Sequence, residues 1–272
     1  MTEILSLDIN VQGIGFTVPH YFEGDQWIQR QTNNMPALEG FAFYPPLKKA
    51  FGPNIMMIND LSSAGIAEYS YGKGRDYKRM LLMAIGTGIS TAMVTENGLV
   101  TYNWGTSGDT GHIIVDPAGM AECTCGGRGC LEAVAAAPAI RRQALVEIQN
   151  GRKTELTNKF ERTGDLEASD VYEAATNGDP LGREIILRAG YFLGLALSSY
   201  LHIYRPNVIV LGGGVAQAGD LLVPAIQDAI DKYSSPWYKK RLAAIEVSGL
   251  GTSGGSIGCA SLILNPDKSV HQ

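Results

Sequence analysis

The sequence predicts an α/β protein with two lobes, and two observations support that prediction. Short apolar runs rich in Ile, Val and Met alternate with longer segments whose apolar residues recur at helical spacing. Such alternation is typical of an α/β fold. The chain has 272 residues, and a single hydrophobic core stops growing near about 250–300 residues, so the length is sufficient for two lobes.

Most of the predicted strands lie in the first hundred residues. Each is a short apolar run bounded by turn-forming residues, and the runs are 4–9, 13–18, 27–32, 54–60 and a pair within 79–94. A turn at 23–25 precedes the third run. A tight turn at Gly86–Thr87–Gly88 joins the pair, and Asn97–Gly98 predicts a hairpin just after it. The run 54–60 indicates a buried strand that ends at a carboxylate.

Helices dominate after residue 130. Apolar residues recur at helical spacing in 131–149, 179–204, 220–233 and 253–264. Pro138 should restart the first of these helices, and Pro206 should end the second. Segment 207–214 predicts a central strand ending in three glycines, and 243–250 a last strand. The polar stretch 151–168 is expected to be a mobile excursion.

Composition excludes several classes of protein. Hydrophobic residues make up 45% and charged residues 18% of the chain, as in ordinary globular proteins. The net charge of −5 and the pI near 5.4 argue against a nucleic-acid-binding surface, which is usually basic. The longest apolar stretch, 190–204, is interrupted by polar residues and is shorter than the ~20 apolar residues that a membrane span needs. With no leader peptide and no disulfide pattern, the sequence predicts a cytoplasmic protein.

Three of the four cysteines lie in one glycine-rich loop. Cys123, Cys125 and Cys130 form a C-x-C-x4-C pattern, and His112 precedes them. Three thiolates and one imidazole suit tetrahedral Zn²⁺, and the glycines between the thiols let the backbone fold around the ion. Four protein ligands leave no position for an activated water, so the zinc would be structural. The alternatives are free thiols in a loop or a redox pair, which the C-x-C spacing disfavours.

Two further features are weaker when taken alone. Asn59 and Asp60 end a buried strand and begin a helix, where α/β proteins bind ligands; the alternative is that Asp60 is an ordinary helix N-cap. Two glycine turns follow strands, so their N–H groups could approach phosphates, although tight strand turns explain them equally well. These turns are Gly86–Thr87–Gly88 and Gly212–Gly213–Gly214.

Together these features resemble the ROK family of repressors, open reading frames and sugar kinases. The segments that carry the resemblance are NDLSSAGIAE, GTGIS, SGDTGHIIVDPAG, CTCGGRGCLEA and VIVLGGGV, in that order, within residues 5–265. The resemblance implies an actin-like, hexokinase-like (ribonuclease H-like) fold of two lobes, with sugar and ATP in the cleft. It implies a large lobe at 74–252 with a zinc loop at 109–132. It also implies a truncated small lobe at 1–73 plus about 253–272.

The resemblance also implies a role for each site residue. The sugar would be bound by Asn59, Asp60, Asp109, His112 and Glu132, and Asp60 would be the general base of a kinase. His112 would both ligate zinc, with the three cysteines, and contact the sugar. The two glycine turns would bind the nucleotide. Asp109 stands where the family's kinases usually carry Glu.

Departures from the family's pattern affect the segments that would bind the nucleotide. The D-x-G-G-T turn that opens ROK kinases has no counterpart, because residues 8–12 read DINVQ and 5–15 align better with a later G-I-G-x-P-G segment of the family. Residues 86–92 read GTGISTA instead of GTGIGGG, which leaves Ser90, Thr91 and Ala92 in place of glycines. Both changes would weaken ATP binding. The residues that the resemblance assigns to sugar binding are still present.

The sequence therefore predicts the effector-binding part of a transcriptional regulator of carbohydrate metabolism. Its ligand would be a hexose or an N-acetylhexosamine, and DNA would be bound only through a helix-turn-helix that is absent from this chain. The alternative is a sugar kinase that uses ATP and Mg²⁺. The small-residue and aromatic face of 190–204 predicts a homodimer or tetramer, unless that helix is entirely core.

Overall fold

A computed structural model describes residues 11–19, 21–30, 36–102, 107–119 and 121–265. Five strands form the main sheet: β5 (Arg79–Ile85), β6 (Ile89–Thr95), β7 (Gly98–Val100), β8 (Val208–Gly212) and β9 (Ala244–Val247). Their spatial order is β7-β6-β5-β8-β9. β5, β8 and β9 run parallel, whereas β6 and β7 are antiparallel additions at one edge. The carboxyl ends of the three parallel strands therefore lie along one edge of the sheet, where α/β proteins bind ligands.

Two small sheets lie toward the amino terminus. β1 (Ile14–Val18) pairs parallel with β4 (Ile55–Asn59), from Ile14 opposite Ile55 to Val18 opposite Asn59. β2 (Tyr21–Glu23) and β3 (Ile28–Arg30) form an antiparallel hairpin. The predicted strand 4–9 and the end of the run 27–32 lie outside the described residues.

Ten α-helices occur among the described residues. They are α1 (Tyr44–Phe51), α2 (Asp60–Tyr71), α3 (Leu131–Ala135), α4 (Ala137–Gln149), α5 (Leu156–Thr163), α6 (Ala168–Thr176), α7 (Pro180–Ile203), α8 (Gly219–Tyr233), α9 (Pro236–Lys239) and α10 (Gly254–Leu264). Short 3₁₀ turns occupy Pro36–Leu38, Thr110–His112, Val215–Ala218 and Gly251–Ser253.

Side chains of β5 alternate between the two faces of the main sheet. Leu81, Met83 and Ile85 belong to the large core beneath α4, α6, α7 and α8, whereas Met80 and Leu82 face the α2 side. α2 also packs closely on α10, whose buried Cys259 lies against β1. Cys259 is therefore outside the cysteine loop, as predicted, and burial raises the pKa of its thiol to about 11.

The small-residue face of α7 packs inside the protein. A Cβ added at Gly190 would lie 2.7 Å from Ala225, and one at Gly194 would lie 2.5 Å from Ala229, so the glycines let α8 approach closely. By length and composition α7 could cross a membrane, but 67% of its most apolar window is buried. That burial is what the core helix of a globular protein shows.

One helix was not predicted and one local interpretation was wrong. Within the stretch 151–168, which was expected to be mobile, residues 156–163 form α5, and its Leu156 is buried. Asp60 is not the N-cap of α2, because the Asn59 side chain accepts the Ser62 N–H at 3.0 Å and Asp60 is the first helical residue. The structure confirms the strands predicted in 54–60 and 79–94, the hairpin at Asn97–Gly98 and the new helix that starts around Pro138.

Candidate functional site

One histidine and three cysteines converge within the loop 109–132. The candidate ligand atoms of His112, Cys123, Cys125 and Cys130 all lie within 4.8 Å of one another. His112 Nδ1 is 3.4 Å from Cys123 Sγ, and Cys125 Sγ is 3.7 Å from Cys130 Sγ. None of these thiols is in a disulfide.

These spacings fit a tetrahedral zinc site. Zinc bonds of about 2.3 Å to sulfur and 2.0 Å to nitrogen put two sulfurs about 3.8 Å apart and a sulfur and a nitrogen about 3.5 Å apart. Both separations match the observed ones closely. Burial and the neighbouring thiols raise the pKa of Cys130 to about 12, whereas a hydrogen bond from the Gly127 backbone lowers that of Cys125. A bound metal would stabilise the thiolate form of its cysteine ligands.

Glycine is required where the loop turns between the thiols. Gly126 and Gly129 have φ of 85° and 70°, in the left-handed region. A Cβ at Gly129 would also lie 2.1 Å from the Asp116 carbonyl oxygen. Backbone hydrogen bonds then close the loop, with Cys123 N–H donating to the Gly127 carbonyl at 2.9 Å. The backbone alone thus brings the thiols together.

Glu132 connects this loop to the first glycine turn. Its Oε1 accepts the Thr124 hydroxyl at 3.1 Å, and its Oε2 accepts the Ile89 N–H at 3.0 Å. A Cβ added at Gly88 would lie 2.6 Å from Oε2, so only glycine leaves room for the carboxylate. Thr124 stands between two of the clustered cysteines. The orientation of the carboxylate is therefore fixed from both sides.

Two tyrosines, one in α7 and one at its C-cap, support the segment that carries Asp109 and His112. The Tyr200 hydroxyl donates to the Thr110 carbonyl, and the Tyr204 hydroxyl donates to the Ser107 carbonyl at 3.1 Å. Burial raises the pKa of both phenols, so each stays a donor. Sequence reasoning missed these tyrosines and Thr124, because no local pattern links α7 with a loop some ninety residues earlier.

Asn59 and Asp60 lie at the carboxyl end of β4, which belongs to a small sheet and not to the main one. Asp60 Oδ1 accepts the N–H of Leu61 at 2.8 Å at the start of α2. α2 crosses β6 with Gly65 against Ala92, where an added Cβ would come within 2.8 Å. This contact ties the strand end carrying Asn59 and Asp60 to the strand that follows Gly88.

The two glycine turns lie at the carboxyl ends of β5 and β8, as predicted. Gly213, with φ of 83°, packs against the Ile85 backbone, where an added Cβ would lie 2.4 Å from the carbonyl oxygen. That position is explained as a tight turn. A Cβ at Gly86 or Gly214 would meet nothing within 4 Å, so those two glycines border open space.

Comparison with known proteins agrees with this architecture. The ROK family profile matches residues 7–265. A glucokinase from Halalkalibacterium halodurans is 31% identical over 260 residues, which are 96% of this chain and 78% of that enzyme.

Two solved structures share the fold. The ROK family transcriptional regulator that is a homologue of the E. coli Mlc protein is 30% identical, with a TM-score of 0.83 over 98% of this chain and 66% of the regulator. The ROK hexokinase from Thermus thermophilus is 26% identical, with a TM-score of 0.73 over 92% of this chain and 77% of the hexokinase. The chain belongs to the ROK family and has the α/β fold of its sugar kinases and regulators.

Proposed function

We propose that this chain binds a hexose or an N-acetylhexosamine as an effector and forms the sugar-sensing part of a transcriptional regulator of carbohydrate metabolism. The sugar would lie between Asn59–Asp60 and the cysteine loop, in contact with Asp109, His112 and Glu132. The double attachment of Glu132 carries the proposal. A carboxylate held through both oxygens is preorganised to accept sugar hydroxyls without losing further conformational entropy.

In this proposal Zn²⁺ is structural and is held by His112, Cys123, Cys125 and Cys130. When bound, it would lock the loop and stabilise three thiolates. His112 faces the cluster through Nδ1, which leaves Nε2 for a sugar hydroxyl. The loop thereby orients one imidazole and one carboxylate, His112 and Glu132, toward the same ligand.

An effector role is favoured over phosphoryl transfer by the sequence that follows the first glycine turn. Ser90, Thr91 and Ala92 stand on β6 where the resemblance expects glycines. Phosphoryl transfer depends mostly on positioning and electrostatic stabilisation, so a poorer phosphate cradle should be costly. DNA binding would then belong to a helix-turn-helix outside this chain.

A sugar kinase is the second candidate. Identity of 31% with a glucokinase favours it, as do Gly86 and Gly214 beside open space. ATP and Mg²⁺ would then lie along these turns, and Asp60 would take the proton from the attacking sugar hydroxyl. Both candidate functions use the same sugar site. They differ in whether ATP binds beside it and transfers a phosphoryl group.

Two proposals concern the surroundings of the protein. Free thiols at all four cysteines suit a reducing compartment, so we place the chain in the cytoplasm. Self-association as a dimer or tetramer also stays a proposal, although the small residues of α7 are used for packing on α8.

Calorimetric titration with a panel of hexoses and N-acetylhexosamines, followed by a coupled assay with ATP and Mg²⁺, tests the proposal. We expect at least one sugar to bind and phosphorylation to stay far below the ~10 s⁻¹ of an ordinary enzyme. Turnover near that value would support the sugar kinase and contradict the proposed regulator. If no sugar binds the metal-loaded protein, both candidates fail.

A further inference from the structure

A second cavity lies at the opposite edge of the main sheet from the sugar residues. It has a volume of about 660 Å³, and its lining includes Arg79, Ile203, Arg205, Trp237 and Arg241. Arg79 begins β5, whereas the first glycine turn follows the end of that strand. Seven residues at about 3.3 Å each separate the two edges by about 20 Å. The cavity is therefore distinct from the candidate sugar site.

Positive charge dominates this cavity although the chain as a whole carries −5. Lys78 and three arginines line it, with Glu96 as the single carboxylate in the lining. Glu96 pairs with Lys78 at 3.6 Å. Within the described part of the chain, Arg205 and Arg241 have no carboxylate partner at all. The Arg241 Nη1 donates to the Trp237 carbonyl at 3.0 Å, and the other N–H groups of the two guanidiniums can donate to an outside anion.

Arg205 also occupies a backbone position that favours glycine. It follows Tyr204, the residue that caps the carboxyl end of α7, and has φ of 51°, one of two positive-φ residues other than glycine among those described. A side chain is disfavoured in this left-handed conformation, and helices commonly place glycine there. Such departures from local preference are expected at functional positions. The Arg205 backbone therefore carries a conformational cost, while its guanidinium lies 5.8 Å from the centroid of the Trp237 ring and 5.9 Å from that of the Tyr238 ring.

Exposed apolar side chains accompany these charges. Trp237 is 50% exposed and Ile203 63% exposed. The Arg241 guanidinium lies 3.5 Å from the centroid of the Trp237 ring and that of Arg205 lies 5.8 Å from it. Exposed Trp and Arg side chains are the residues that most often dominate binding energy at protein interfaces. A small anion alone would leave the tryptophan and isoleucine uncovered.

From these contacts we infer that the Trp237 cavity is a docking site for an acidic segment of a partner protein. Carboxylates of that segment pair with Arg205 and Arg241, and an apolar side chain covers Trp237 and Ile203. Charge complementarity identifies the partner's chemistry, since the cavity is cationic and aromatic although the chain as a whole is acidic.

The test uses fluorescence anisotropy with short labelled peptides that carry several glutamates and one leucine, and with the same peptides carrying glutamine for glutamate. We expect only the acidic peptides to bind, and more tightly at low salt. Arg205→Gly and Arg241→Gln should each weaken binding by about tenfold or more. Arg205→Gly should melt at nearly the wild-type temperature, because glycine suits its backbone.

Arg183→Gln is the matched control, since it removes one exposed positive charge about 30 Å away along α7. It should bind the acidic peptides like wild type, and sugar titrations should be unchanged in all three variants. Equal peptide affinity of wild type and Arg205→Gly would overturn the inference. So would binding of pyrophosphate or a DNA duplex without binding of peptide. If light scattering shows that Arg205→Gly and Arg241→Gln abolish self-association, and no peptide binds, the occupant is a second copy of the chain. That result would also overturn the inference.

Discussion

The cysteine loop and the glycine turns lie side by side, yet they are held in very different ways. In the loop 109–132 the thiols cluster, glycines close the backbone, and Glu132 is held through both oxygens. At the turns, Gly88 and Gly213 are closely packed, whereas Gly86 and Gly214 border open space. The cysteine loop is thus supported by several contacts within the protein, and each glycine turn has one packed glycine and one open glycine.

This difference agrees with the proposal that the chain binds a sugar and has a weakened nucleotide site. A preorganised site loses little entropy on binding, so a ligand site should have several supporting contacts. Such contacts surround Glu132, in the proposed sugar site. After the first glycine turn, in the proposed nucleotide site, Ser90, Thr91 and Ala92 stand where the resemblance expects glycines. Substitutions in the two regions should therefore have unequal consequences.

The largest expected effect is on stability, through the metal. Cys130 is 1% exposed and contributes to both the cluster and the small core around it. If Zn²⁺ is present at a thousandfold excess over its Kd, its loss in Cys130→Ser should lower the free energy of unfolding by about 4 kcal/mol. Elemental analysis with denaturant unfolding checks this. A variant that keeps its zinc and its stability would show that the loop needs no metal.

Glu132→Ala should come next. Removing a carboxylate that accepts sugar hydroxyls should weaken sugar binding by about one to two decades, because each lost hydrogen bond costs about 0.5–3 kcal/mol. Zinc content should not change. Glu122→Gln is the control, since Glu122 is an exposed acid of the same loop paired with Arg128. Equal losses in both variants would mean that net charge, not the position of Glu132, governs affinity.

A pair of alanine substitutions separates the two regions directly. Gly88→Ala should displace the Glu132 carboxylate and reduce sugar affinity by about tenfold. Gly86→Ala, two residues away, places its Cβ in open space and should leave sugar affinity unchanged. Titration calorimetry on both variants measures the contrast. If Gly86→Ala loses as much affinity as Gly88→Ala, the turn as a whole and not the Glu132 contact would be responsible.

The smallest effect is expected at Thr124. Thr124→Val keeps the shape of the side chain but removes the hydroxyl that Glu132 accepts, which should cost about 1 kcal/mol of sugar binding, or about fivefold in affinity. Thr124→Ser restores a hydroxyl and should restore affinity. Both variants should retain zinc. Failure of serine to rescue would indicate that the methyl group, and not the hydrogen bond, matters.

Local features of this chain were predictable from the sequence. The hairpin around Gly86–Gly88 and the cysteine cluster depend on residues close together in the chain, and both are found. Periodicity correctly gave α7 and α8, because each buries a broad apolar face. In these cases local propensity and tertiary packing favour the same structure.

Elements without a local pattern were missed. α1 begins with two prolines, which indicate a loop although proline is also favoured in the first turn of a helix. α5 is short and mostly polar, and its apolar face has only Leu156 and Phe160, from which no helix was predicted. The supports from Tyr200 and Tyr204 join segments some ninety residues apart, so only the fold reveals them.

The central claim is that a metal-anchored loop holds the sugar site. Its most direct test is calorimetric titration of the same preparation with the best-binding sugar before metal removal, after it, and after zinc is restored. We expect about one Zn²⁺ per chain, sugar binding that falls at least tenfold without it, and full recovery when it returns. Sugar binding of equal strength in a folded, metal-free protein would contradict the account.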